Sequence, residues 1–193
     1  MYDPDAELVR QAGAGDRRAA EALVRRHAVK ITGLARRMLG DAAEAEDVAQ
    51  DVFLRVWRAA PDWREGEAKF QTWMHRVALN LCYDRLRRRR ERPTADPAHN
   101  RVDSAPGPTQ GLLDRQRAIV VARAVSALPE RQRAAITLCH YGEMSNIEAA
   151  AVLKVSVDAL ESLLARARRS LKTSLADVVE DLLGEAETPA AGS

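Results

Sequence analysis

Arg76, Asn80, Tyr83 and Arg87 recur at i, i+4, i+7 and i+11 in a stretch rich in helix formers, so on a helix they share one polar stripe. Arg holds a phosphate through paired N–H donors, Asn can pair with a base edge, and Tyr can stack on a base. The stripe runs into Arg85-Leu86-Arg87-Arg88-Arg89-Arg90-Glu91-Arg92, six arginines in eight residues. Cations at a helix C-terminus also favour its dipole, but this run exceeds what capping asks for. The chemistry indicated is contact with nucleic acid. Just upstream, Trp63 stands in the polar stretch Pro61-Asp62-Trp63-Arg64-Glu65-Gly66-Glu67-Ala68-Lys69. Two readings of it are open: a ring packed beneath the loop, or a face for an unstacked base.

A second set of candidates lies near the C-terminal end. Residues 145–153 and 157–171 read as two short helices joined by a tight Lys154-Val155-Ser156 turn, a helix-turn-helix pattern. On the second helix Leu160, Leu163, Leu164, Ala167 and Leu171 form an inward stripe. The opposite arc carries Asp158, Glu161, Ser162, Ala165, Arg166 and Arg169, which a recognition helix would present to a major groove. Arg168 and Lys172 add positive charge there.

A third face is of another kind. On a helix over 42–59, Ala45, Val48, Ala49, Val52, Phe53 and Val56 make the core stripe. Leu54 falls roughly opposite them among Asp47, Gln50, Asp51 and Arg58, and Trp57 sits at the stripe's edge. Leu54 is either a lone exposed leucine or the apolar anchor of a partner-binding patch with a polar rim.

The elements that must position these residues are helices. Ala, Leu, Arg and Glu dominate, and no hairpin turn or β-branched run indicates strands. Helices are expected near 4–13, 16–39, 42–59, 68–91, 114–127, 130–141, 145–153 and 157–183, the last with a break near Thr173. Asp16, Asp41, Ser145 and Ser156 suit N-caps, and Gly40 and Gly142 suit C-terminal caps. Residues 93–113 hold Pro93, Pro97, Pro106, Pro108, Gly107 and Gly111 with little apolar periodicity, and read as a flexible linker. The expected fold is all-α: two small helical domains, 1–92 and 114–175, joined by that linker, the second containing the helix-turn-helix. Residues 176–193 form an acidic tail, expected to be without structure from Gly184.

Composition narrows the function. The 193 residues are 46% hydrophobic and 30% charged with a net charge of +2, enough apolar content for real cores. The near-neutral total hides an asymmetry. Residues 1–92 carry 19 basic and 15 acidic groups, residues 114–175 carry 10 and 6, and residues 176–193 carry none and 5. Two basic blocks suit anion contact, or are ordinary solvated helix surface. No apolar run approaches the roughly 18 residues of a membrane span, and the acidic start shows no secretion signal, so a cytoplasmic protein without membrane insertion is expected. Two cysteines, Cys82 and Cys139, form no disulfide framework or zinc spacing. No metal, cofactor or catalytic residue is expected. An enzyme built on Cys139-His140 or His75 is disfavoured, since neighbours in a helix need not meet productively, and Cys82 reads as packing.

Taken together, the chain resembles a bacterial RNA polymerase sigma factor of the extracytoplasmic-function type, over roughly residues 5–175. Asp47-Val48-Ala49-Gln50-Asp51-Val52-Phe53-Leu54-Arg55-Val56-Trp57 is similar to the family's segment that docks on the polymerase clamp helices. Phe70-x-x-Trp73-x-x-x-Val77-Ala78-x-Asn80-x-x-x-Asp84-x-x-Arg87 resembles the segment that recognises and melts the −10 promoter element. Leu128-Pro129-Glu130-Arg131-Gln132-Arg133 with the helix-turn-helix is similar to the −35-binding domain.

The resemblance implies roles. Asp47, Gln50, Asp51, Leu54 and Trp57 would bind core polymerase at its β′ clamp helices, with the second domain meeting the β flap. Trp63, Lys69, Arg76, Asn80, Tyr83, Arg87 and Arg88 would face the −10 DNA, with Trp63 and Lys69 in the loop that holds an extruded base. Ser156, Asp158, Glu161, Ser162, Arg166, Arg168 and Arg169 would meet the −35 element. The linker would run through the RNA exit path, and an anti-sigma factor would be a regulatory partner. One departure is Val157-Asp158-Ala159-Leu160-Glu161-Ser162-Leu163, where the family often has a basic run; Glu161 is a candidate acceptor for a cytosine amino group. The alternative is a stand-alone helix-turn-helix DNA-binding regulator, which has no need of the 47–57 patch.

Overall fold

The computed structural model describes residues 2–64, 66, 68–91 and 112–186, with side chains in the last stretch described for 117–176. The linker expectation for 93–113 falls almost wholly outside these residues, as does the tail after Ala186. Eight α-helices are described: α1 (Ala6–Gly13), α2 (Arg17–Leu39), α3 (Ala42–Ala59), α4 (Phe70–Glu91), α5 (Leu112–Ser126), α6 (Glu130–Ile136), α7 (Asn146–Leu153) and α8 (Val157–Ala186). A short 3-10 turn, Ala60–Asp62, follows α3, and a π-turn, Thr137–Tyr141, continues α6. Among the described residues there is no strand. None of these helices is long and apolar enough to cross a membrane.

The caps explain where the helices start. Asp16 accepts from the Arg18 and Ala19 N–H groups at 2.7 and 3.2 Å, and Asp41 accepts from Glu44 N–H at 2.8 Å. Ser145 and Glu148 form a reciprocal capping box on α7, and Ser156 Oγ accepts from Ala159 N–H at 3.1 Å at the start of α8. Each satisfies an N–H that the helix itself leaves unpaired. Gly40 ends α2 in the left-handed region at φ +69°, a conformation that costs glycine least.

Gly142 caps the π-turn, as expected, with its N–H on the Thr137 carbonyl at 2.9 Å; its φ is −87°, and Glu143 takes the positive φ of 54°. Gly142 is needed for space, because an added Cβ would lie 2.7 Å from the Leu138 carbonyl oxygen. Two expectations need correction. Helix α8 does not break at Thr173, whose hydroxyl bonds back to the Arg169 carbonyl within the helix. The helix also continues past Gly184 to Ala186, so residues 184–186 are not without structure.

In the N-terminal unit α2 lies between α1, α3 and α4. Its buried stripe, Leu23, Ile31, Leu34 and Met38, meets Val48, Val52 and Val56 of α3 and Phe70, Met74 and Ala78 of α4. In the C-terminal unit Leu138, Ala149, Val152, Leu160, Leu164 and Ala167 are buried between α6, α7 and α8. The two units pack on each other through α7 on α4, and through α5, α6 and the π-turn on α2.

Candidate polymerase and nucleic-acid interfaces

On α3 the five expected core stripe aliphatics, Ala45, Val48, Ala49, Val52 and Val56, are buried, and Phe53 packs against them from a half-buried position. Leu54 is 53% exposed, with Asp47 and Gln50 exposed on its helix face two turns and one turn earlier. An apolar side chain in a polar rim thus stands free in this structure. Asp51 is partly committed, accepting from Arg85 Nη2 at 3.0 Å. Trp57 stacks on Phe53 with ring centroids 6.0 Å apart and is half-buried, so most of its ring serves packing.

Helix α4 is buried on more sides than one stripe predicts, since Thr72, His75, Leu79 and Cys82 join Phe70, Met74, Ala78 and Leu81 inside. This follows from its place against both α2 and α7. Trp63 is half-buried and meets Phe70 edge-on at 5.7 Å between centroids; the ring packs against the start of α4 while part of it stays accessible. Lys69 donates to Glu148 Oε1 at 2.8 Å, and the Arg76 guanidinium donates to the Ala151 carbonyl. Tyr83 is half-buried, and burial pushes its phenol up to about 12. Asn80, Arg87 and Arg88 are exposed, with Arg87 paired to Asp84 at 3.1 Å.

The arginine run divides by face. Arg85 reaches Asp51, and Arg89 reaches Glu44 at 2.8 Å and the Leu39 carbonyl at 2.9 Å. These two, at i and i+4, staple α4 to the α2–α3 corner. Arg87 and Arg88 point outward. Part of the positive charge that suggested nucleic acid is therefore structural.

On α8, Asp158, Glu161, Ser162, Arg166, Arg168 and Arg169 are all exposed, while Leu160, Leu164 and Ala167 are buried. Glu161 Oε1 accepts from Asn146 Nδ2 at 3.2 Å, so its carboxylate is oriented by the first residue of α7. The α7–α8 turn is closed by Lys154 in the left-handed region and by Val155 N–H on the Ala150 carbonyl at 3.1 Å.

The sequence did not reveal the contacts between the two units. Lys30 meets Glu143 at 3.1 Å, Arg133 Nη1 donates to the Met38 carbonyl at 2.6 Å, and Arg37 lies over the Tyr141 ring at 3.8 Å. With the Lys69 and Arg76 contacts, these place two expected −10-facing side chains beneath α7. A cavity of about 160 Å³ at the junction is lined by Lys30, Arg37, His75, Thr137 and Tyr141 among others. His75 Nδ1 bonds the Gln71 carbonyl at 2.8 Å, and burial lowers the imidazole's pKa. Cys139 and His140 diverge: Cys139 is half-buried beside Asn146 while His140 is exposed and packs on Tyr141. Among the described residues no group of three or more His, Cys, Asp or Glu side chains could hold a metal.

Comparison with known proteins matches both units. The family model for sigma-70 region 2 matches residues 23–92, and that for sigma-70 region 4 matches residues 118–171. The chain is 31% identical over 189 residues to the RNA polymerase sigma-H factor of Pseudomonas aeruginosa, covering 93% of this chain and 97% of that one. It is 37% identical over 167 residues to the ECF RNA polymerase sigma factor SigM of Mycobacterium tuberculosis, covering 86% and 82%. The solved structure of CnrH in complex with the cytosolic domain of CnrY superposes with a TM-score of 0.68 at 32% identity, over 91% of this chain and 99% of that one. CnrH is a sigma factor of Cupriavidus metallidurans.

Proposed function

The chain belongs to the extracytoplasmic-function sigma factors of bacterial RNA polymerase, and from that premise we propose how its surfaces divide the work. It binds core RNA polymerase and directs transcription initiation at promoters with matching −10 and −35 elements. It acts in the cytoplasm, where polymerase is, as a DNA-binding initiation factor that traps an open strand rather than performing a chemical step. An anti-sigma factor holds it inactive, as the CnrY segment accompanies CnrH.

The observation that carries the division is the exposed Leu54 in its polar rim on α3, separate from the α4 stripe. Leu54, Asp47 and Gln50 dock on the clamp helices, with Asp51 and Trp57 supporting them from half-buried positions. Asn80, Arg87 and Arg88 are open to the −10 strand now; Lys69 and Arg76 reach it only after α7 leaves α4. Trp63 supplies the aromatic edge for the extruded base. The outer face of α8 enters the −35 major groove.

Since α7 covers Lys69 and Arg76 here, the free chain binds promoters weakly, and polymerase separates the units. Once both are placed, the second contact is intramolecular and gains from effective concentration. The stand-alone regulator reading leaves the region 2 match and the Leu54 patch without a role. The test is promoter-specific transcription with core polymerase by the Trp63→Ala, Asn80→Ala double variant. Loss of open complexes with core binding retained supports the −10 assignment, and unimpaired transcription removes it.

A further inference from the structure

Helices α2, α3, α7 and α8 each begin on an acceptor from their own flank: Asp16, Asp41, Ser145 and Ser156. Helix α4 does not. The residues immediately before it, Ala68 and Lys69, carry no acceptor side chain. Its first N–H, that of Phe70, donates instead to Asp3 Oδ2 at 2.6 Å, across 67 residues of sequence. The other oxygen, Oδ1, accepts from Asp5 N–H at 2.9 Å. Asp3 is only 6% exposed, so a carboxylate there is tolerable only with such donors, and its charge also suits a helix N-terminus.

The chain around Asp3 is itself anchored. Asp5 is 1% exposed and bonds His27 Nε2 at 2.9 Å, and Arg26 donates to both Asp5 and the Pro4 carbonyl. His27 in turn meets the edge of the Phe70 ring at 6.2 Å. Phe70 then contacts Trp63 on one side and Trp73 on the other, both at 5.7 Å. One carboxylate therefore fixes where α4 starts, and through Phe70 where Trp63 sits and from which point Lys69 projects.

We infer that Asp3 is a positioning residue for −10 strand capture, acting as the N-terminal cap that α4 lacks locally. This rests on the reading of Trp63, Lys69 and the α4 stripe as the −10 face. Asp3 touches no DNA. It sets the helix start and the loop geometry on which the extruded base depends, and the Leu54 docking face on α3 does not depend on it.

The test uses full-length protein with core polymerase on a duplex promoter fragment found by mapping the protein's own transcript starts, with 2-aminopurine in the −10 region. Asp3→Ala is expected to slow promoter opening about five- to tenfold, the size of a lost cap, with core affinity unchanged. Asp3→Asn has one acceptor oxygen for two N–H donors and is expected to fall between. Amide exchange in the free protein gives a second readout: Phe70 and the next turn should lose protection in both variants, while α3 keeps its own. Wild-type opening by both variants, or an equal loss of core affinity and opening, overturns the inference. A wild-type holoenzyme that never opens the fragment overturns the −10 reading and this inference with it.

Discussion

Lys69 Nζ lies 2.8 Å from Glu148 Oε1, joining the residue before α4 to the first turn of the helix-turn-helix. Glu148 is also the third residue of α7 and the acidic member of its capping box. A single carboxylate therefore starts α7 and ties it to the start of α4. The hydrogen bond from Lys69 leads the effects that hold the Glu148 carboxyl below its ordinary value.

Glu148→Gln keeps an acceptor for the capping box and removes the charge that meets Lys69. The free variant is expected to open more often, raising its radius of gyration in X-ray scattering and its affinity for single-stranded −10 DNA. The gain should be no more than a few-fold, since one partly exposed pair contributes little. Identical scattering from the two proteins would show that the pair does not hold the units together.

Leu54→Asp puts a charge at the centre of the exposed α3 patch without touching the core behind it. Affinity for core polymerase is expected to fall at least about tenfold, as when a central interface anchor is lost. The thermal midpoint should stay close to wild type, because exposed positions away from packing contribute little to stability. Undiminished binding in a competition assay would remove Leu54 from the docking face.

Asp5 gives the N-terminal unit an acid limit. Burial alone would raise its carboxyl, but hydrogen bonds from His27 and Arg26 outweigh burial and hold it below 3.8. The unfolded chain then binds the proton more readily. The stabilisation is complete above pH 3.8 and is lost as pH falls through the lower folded value. At neutral pH Asp5→Asn should destabilise by about 1–3 kcal/mol. The difference from wild type in urea midpoint should shrink as pH is lowered; a constant difference would contradict the assignment.

The two thiols should differ in reactivity. Cys82 is buried, and burial pushes it up to about 12, so almost no thiolate exists near neutrality. Cys139 is half-buried, with a smaller rise that again comes first from burial. Iodoacetamide at pH 8 should label Cys139 first and Cys82 only on unfolding, which mass spectrometry of timed samples would show.

Local rules carried far in the sequence, and the reason is physical. Asp16, Asp41, Ser145 and Ser156 act within three residues of themselves, so their capping could be read directly. The α3 stripe was legible because one face meets one core. Helix α4 was less so: its arginines look alike in sequence, yet Arg85 and Arg89 turn to α3 and the α2 end while Arg87 and Arg88 turn to solvent. Asp3 could not be recognised as the cap of Phe70, because 67 residues separate them. The Arg133 contact with the Met38 carbonyl was hidden for the same reason. Gly142 was legible as a helix end, but its close approach to the Leu138 carbonyl was not, because only the fold brings the two together.

Promoter choice by core polymerase should depend on this chain. The most direct measurement reconstitutes the chain with core RNA polymerase and sequences the 5′ ends of transcripts from genomic DNA. The expected result is a discrete set of starts absent with core alone, sharing a −10 and a −35 element, and lost in the Trp63→Ala, Asn80→Ala double variant. Starts distributed as with core alone would contradict that dependence.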